Sequence, residues 1–312
     1  MSYSGSKVVI IGGAGQAGKI HVQNLLSLGA EVACYDVIEN ADCAKSYDAK
    51  TTEHDACVAD GYKIAIVALP DNMLFPHTYK ILDAGFERVM IEKPGSLNSS
   101  DLEKLNNKAA ENGVAFTIDY QRSFDGRVSK LTNQIKELIA DGYQLDYVSV
   151  YSCDKAQPPQ AAHQALNQGC HDYALLLGIL DAADLSVKEL QARGVKWGSL
   201  NDTKFLKITG SAANDSSLAL FDVQMGRVNS TGTFTEFYVK LSKYDAEKDM
   251  YMPFEAKLNF PETPDPDSLW SDVWAEAFKK SVEALLKGEG GVPVSFGVSV
   301  LSFAEQALAS LS

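Results

Sequence analysis

A glycine-punctuated turn stands directly behind the first apolar run of the chain, and no other feature of the sequence restricts the fold as tightly. Val8–Gly12 (VVIIG) reads as a short buried strand. It runs without a spacer into Gly13-Ala14-Gly15-Gln16-Ala17-Gly18, and a helical pattern begins near Gln16. In the order strand, turn, helix, this G-x-G-x-x-G spacing has a mechanical meaning. The first glycine permits a tight turn, the second lets a ligand approach the backbone, and the third lets the helix pack close on the strand. The unsatisfied N–H groups and positive end of that helix then favour a phosphate in front of the turn. A glycine turn with no ligand is the alternative reading of the motif taken alone.

The segments that follow repeat the alternation. EVACYD, KIAIVAL and RVMIEKP are short apolar runs, and GKIHVQNLLSLG and FPHTYKILDAG between them have helical spacing. Strands of this length separated by helices imply parallel βαβ units. Asp101–Asn112 continues the pattern as an amphipathic helix and leads into VAFTIDYQ, a further strand that closes a first domain at residue 121. The expectation for residues 1–121 is therefore an α/β Rossmann domain, a doubly wound parallel sheet.

Asp36 ends the second strand, eighteen residues after Gly18. A carboxylate there accepts hydrogen bonds from the adenosine ribose hydroxyls of a dinucleotide and repels a 2′-phosphate. The next residues, Val37, Ile38, Glu39 and Asn40, supply no cation. Gly13, Gly15, Gln16, Ala17, Gly18 and Asp36 thus form an expected NAD(H) site, with NAD preferred over NADP. Pro70, Asp71 and Asn72 follow the strand KIAIVAL, at the carboxyl end that lines the ligand crevice of such sheets. They read either as contacts to the nicotinamide half, through Pro70 and Asn72, or as an exposed turn.

After a helix over Ser129–Ala140 the pattern changes. YVSVYS, VKELQARGVKW, FLKITGSA, LALFDVQM, TFTEFYVKLS and FEAKLNF alternate with period two. One polar face and one apolar face mark a large, open, mostly antiparallel sheet. The Pro- and Asp-rich run FPETPDPDSLW then leads to helices at Ser271–Lys287 and Val298–Ser310, so residues 122–312 are expected to form an α+β domain.

Composition excludes several classes. With 46% hydrophobic and 22% charged residues the chain is that of an ordinary globular protein. A net charge of −13 opposes binding to a nucleic-acid backbone. Five cysteines with no C-x-x-C pair argue against a disulfide framework and against zinc. No apolar run approaches the roughly 20 residues of a membrane span, and the N-terminus lacks a signal-peptide pattern, so the expected location is cytoplasmic.

Glu92-Lys93-Pro94 ends the strand RVMI and lies on the same sheet edge as the glycine turn, which places Glu92 and Lys93 among the expected cofactor contacts. A lysine held there can stabilise a developing alkoxide or exchange its proton. A solvated surface charge is the competing reading. His171 opens a helical pattern and, by itself, reads first as a helix-start histidine held by backbone.

Taken in order, GGAGQAGKIH (Gly12–His21), VALPDNMLFPH (Val67–His77), IEKP (Ile91–Pro94), DYQRSFD (Asp119–Asp125) and NQGCHDYALLLG (Asn167–Gly178) give the chain a resemblance along nearly its whole length. It resembles the Gfo/Idh/MocA oxidoreductases, the group of glucose-fructose oxidoreductase and inositol dehydrogenase. The resemblance implies a sheet domain behind the Rossmann domain and homo-oligomers, dimers or tetramers, formed through that sheet. It makes Lys93 and His171 the catalytic pair, acting on a sugar or polyol-like substrate bound between the domains. Tyr120, Arg122 and Asn167 are then candidates to bind substrate oxygens. The chain departs from the family pattern at Asn167, where an aspartate four residues before the histidine is usual, and at Ala174, where aspartate is common. Asparagine cannot ionise and gives a histidinium no Coulombic support, so His171 is expected to titrate below its counterparts. Two other functions remain open: a keto-sugar or nucleotide-sugar reductase, and a non-catalytic NAD- or sugar-binding regulator.

Overall fold

The described residues fold around two six-stranded sheets. In the computed structural model, residues 3–155, 166, 169–196, 204–228, 234–260 and 272–311 are described. The first sheet contains β1 (Lys7–Ile11), β2 (Glu31–Asp36), β3 (Lys45–Asp48), β4 (Ile64–Val67), β5 (Arg88–Glu92) and β6 (Ala115–Asp119). All pairs are parallel, in the order β3-β2-β1-β4-β5-β6. The order reverses between β1 and β4, and in open α/β sheets such a switch point is where ligands bind. Helices α1 (Gln16–Ser27), α2 (His54–Ala59), α3 (Asp71–Ile81) and α4 (Ser99–Glu111) connect the strands. The central strands are apolar at nearly every position because both faces are covered. β3 (KSYD) has no counterpart among the apolar runs, since a short edge strand buries only Tyr47.

Packing divides the chain at residues other than 121. The first unit is Met1–Phe124 with Glu276–Ser302, and the second is Asp125–Ala275 with Phe303–Ser312. Residues 276–302, expected in the second domain, return to the first. The reason lies in the helix Asp272–Lys287 (α7): Val282, Leu285 and Leu286 join Val8, Ile10, Val22, Leu25, Ile66 and Met90 in one core cluster. Burying each such side chain contributes about 1.5–3 kcal/mol, and β1 and β4 need a cover on that face. Arg88 adds a hydrogen bond from Nη1 to the Leu286 carbonyl at 2.6 Å, and the Ile118 amide donates to the Val292 carbonyl at 3.0 Å.

The second unit is built on β7 (Gln144–Lys155), β8 (Ser186–Lys196), β9 (Lys204–Ala213), β10 (Leu218–Val228), β11 (Phe234–Asp245) and β12 (Met250–Phe260), in the order β12-β11-β7-β10-β9-β8. Only β7 and β10 pair in parallel. Val148, Val150, Ile208, Phe221, Val223, Phe237 and Val239 fill the inner face. Helices α5 (Gly126–Ala140) and α6 (Gly169–Ala182) cover it. α6 is buried on nearly every side, which its almost uniformly apolar sequence requires. Helix α8 (Val294–Ala309) brings Phe303 against Tyr173 and Phe221. Among the described residues no helix is long and apolar enough to cross a membrane.

Candidate functional site

Close packing, as much as conformational freedom, selects the glycines of the turn. Gly12 has φ +88°, and a Cβ there would stand 2.3 Å from the Ala68 carbonyl oxygen at the end of β4. A Cβ on Gly18 would lie 2.1 Å from the Gly12 oxygen, so α1 sits directly on the turn. Gly15 takes the N-cap position of α1 and offers no side chain to cap it, and the first turn holds no acidic residue. Gln16 is exposed there and Ala17 partly so. The end of α1 thus presents amides and a positive dipole that no acidic residue of its own first turn neutralises.

Asp36 is fixed beside the turn. Its Oδ2 accepts from the Ala14 amide at 3.0 Å and its Oδ1 from the Ile38 amide at 3.2 Å. Each oxygen keeps further acceptor capacity, because a carboxylate has about four lone-pair sites. Asn40, buried, donates from Nδ2 to the Gly13 carbonyl at 2.9 Å and pins the turn from behind. The sequence showed Asn40 only as the absence of a cation. Pro70 and Asn72 are exposed at the start of α3, next to the strand end against which Gly12 packs.

At the ends of β5 and β6 the structure differs from expectation. Glu92 is 6% exposed, and instead of facing a ligand its Oε1 accepts a hydrogen bond from His21 Nε2 at 2.8 Å. His21 has no exposed surface and lies 3.7 Å from Asp119 Oδ2, itself fully buried. Burial opposes charge on His21, but the Glu92 hydrogen bond and the two carboxylates outweigh it and raise its pKa. Burial, and then the charge of Glu92, pushes Asp119 up to about 7, with His21 and Lys93 acting against them. Lys93 is partly buried, and its peptide bond to Pro94 is cis.

Sequence reading did not find this cluster. The available signal was position: His21 occupies the buried stripe of α1 with Gly18, Val22 and Leu25, and a polar residue in an apolar stripe needs a buried partner. Tyr120, expected to bind substrate, is instead a core residue. It has no exposed surface, and its ring meets Phe296 edge-on at 6.3 Å. Arg122 is partly exposed on the short 3₁₀ turn Gln121–Phe124 that follows β6.

In the second unit His171 lies in the first turn of α6 and is 6% exposed. Asp172 beside it is buried and accepts a hydrogen bond from the Ser152 hydroxyl. Arg127 is held by Asp125, with Nη2 and Oδ2 2.8 Å apart. Asn167 lies outside the described residues.

Residues 6–120 match the model of the oxidoreductase family with an NAD-binding Rossmann fold, GFO_IDH_MocA. Over those residues the chain is similar to that oxidoreductase family. No curated protein matches the sequence. Solved structures of the same fold extend over both units. A probable dehydrogenase from Thermotoga maritima has a TM-score of 0.75 at 18% identity, covering 98% of this chain and 96% of its own. The scyllo-inositol dehydrogenase from Lactobacillus casei, with bound NAD(H) and scyllo-inositol, has a TM-score of 0.74 at 15% identity, with coverage of 98% and 96%. The UDP-N-acetylglucosamine 3-dehydrogenase from Acidithiobacillus ferrooxidans has a TM-score of 0.68 at 16% identity, with coverage of 98% and 97%.

Proposed function

We propose that the protein is an NAD(H)-dependent dehydrogenase or reductase acting on a carbon–oxygen centre of a sugar or polyol-like substrate. The observation that carries this is the fixed Asp36 carboxylate beside an uncapped helix N-terminus and a turn with no room for a Cβ at Gly12 or Gly18. Gly13 and Gly15 leave room for the pyrophosphate and the amides of Gln16, Ala17 and Gly18 hold it, Asp36 takes the adenosine ribose, and Pro70, Asn72 and Lys93 border the nicotinamide half. Bound NAD(H) supplies the hydride acceptor or donor. Lys93 stabilises the alkoxide-like oxygen of the substrate as an ammonium ion, and His171 exchanges the hydroxyl proton as general acid and base. Both assignments follow the family resemblance, as does the part given to Arg122 and Asn167 in binding substrate oxygens.

Asp36 sets the preference for NAD(H) by repelling a 2′-phosphate. Asp36→Asn is expected to weaken NADH binding about tenfold to a hundredfold and to narrow the gap between NADH and NADPH, read by fluorescence titration of both. Tighter binding of NADPH by the wild type would overturn the preference. A panel of sugars, polyols and keto sugars with both redox states of the cofactor tests the substrate class. Tight ligand binding with no turnover across that panel would favour the regulatory reading. A nucleotide-linked sugar is the second substrate reading, supported by likeness to the UDP-N-acetylglucosamine 3-dehydrogenase. Against it, Arg127 is engaged by Asp125 instead of being presented to a diphosphate.

The outer face of the second sheet carries Leu218, Leu220, Tyr244 and Tyr251, each more than half exposed. Apolar side chains grouped on one open sheet face favour self-association, and we assign this face to a homo-oligomer. Leu220→Asp is expected to shift the protein to monomers in sedimentation velocity. An unchanged mass would remove the sheet from the interface.

A further inference from the structure

The cluster of His21, Glu92 and Asp119 is an expensive thing to build into a core. Its donor atoms lie within 4.8 Å of one another and all three side chains are buried. Phe278 closes one side of the imidazole, edge-on at 6.0 Å. Replacing a buried ion pair by packed apolar groups is often neutral or stabilising, because desolvation cancels most of the attraction. Stability alone therefore gives this arrangement no reason to exist.

Its location gives one. His21 is carried by α1, one turn behind Gly18, Glu92 is the last residue of β5, and Asp119 is the last residue of β6. The 2.8 Å bond from His21 to Glu92 ties the helix that opens at the glycine turn to the strand end from which Lys93 departs. Asp119 approaches the same imidazole from the neighbouring strand and interacts electrostatically with Lys93. From α7 the nearest groups are Phe278 and Ser281, neither of them charged.

We propose that Glu92, clamped by His21, is the positioning residue for Lys93, so that the buried pair sets where the lysine leaves the sheet relative to the glycine turn. This rests on the role given to Lys93 above. A misplacement of about 1 Å costs roughly a hundredfold in rate, so a rigid anchor one residue from a reacting group has a large effect while touching no substrate.

The test uses Glu92→Gln, which keeps the shape and removes the charge, and His21→Asn as a second variant. Full-length protein labelled at lysine Cε and histidine nitrogens is followed by NMR, with Lys93→Ala to assign the Lys93 signal. In Glu92→Gln the His21 pKa is expected to fall, because the carboxylate that raises it is gone, and the Lys93 Cε signal to move, while NADH affinity stays within about threefold. Turnover of scyllo-inositol with NAD, used as the probe pair, falls about a hundredfold in kcat with KM nearly unchanged, and Glu92→Asp restores part of it. An unmoved Lys93 signal in both variants overturns the positioning role. Wild-type turnover in Lys93→Ala, or a wild type that does not bind NADH, overturns the proposed function instead and leaves the NMR result to decide the anchor by itself.

Discussion

Lys93→Ala is expected to lower kcat by about a hundred- to ten-thousand-fold, the range for removing a group that handles a proton or its charge in the transition state. The cofactor should hardly notice. The residues proposed to hold its pyrophosphate and adenosine belong to the glycine turn and to β2, and Lys93 stands at the end of β5. NADH affinity within a few-fold of wild type, measured with the same preparation that shows the rate loss, separates a chemical role from a binding one. Equal losses in rate and affinity would make Lys93 a cofactor ligand only, and wild-type rates would remove it from the reaction.

Gly12→Ala should be one of the most damaging single methyl groups in the first unit. The new Cβ meets the Ala68 carbonyl oxygen at 2.3 Å and its carbon at 2.9 Å, at a φ of +88°. Both neighbours are backbone, so neither can rotate away, and the turn or the end of β4 must shift. Overpacking and backbone strain together cost about 3 kcal/mol or more. The expected result is a fall in Tm of roughly 6–12 °C, with NADH binding lost beyond the titratable range. Gly290→Ala is the control. It shares a positive φ, +75°, but a Cβ there meets nothing within 4 Å, so it should cost far less. Similar losses in the two variants would mean that φ, and not the contact with Ala68, selects glycine at position 12.

The first sheet was legible because its signals are local. A parallel strand covered on both faces must be apolar throughout, so VVII and IAIV announce themselves, and the glycine spacing states its own geometry. The period-two runs of the second sheet were legible for the same reason. What stayed hidden depends on partners far along the chain. β3 buries one tyrosine and looks like a loop. The return of residues 276–302 has no local mark, since an amphipathic helix shows that it covers something but not which sheet. The site divides in the same way. Asp36 follows from its distance to the glycines, whereas the tie from His21 to Glu92 spans 71 residues, and the ring of Tyr120 meets Phe296 from the returning segment.

That late return also bears on how the molecule is made. A ribosome releases the six strands of the first sheet long before α7 exists, and about 150 further residues separate β6 from that helix. At ordinary elongation speeds the growing polypeptide would carry an uncovered greasy surface over β1 and β4 for on the order of ten seconds. A fragment ending near residue 124 would keep that surface permanently bare and should aggregate when expressed alone, however complete its nucleotide-binding motif looks on paper.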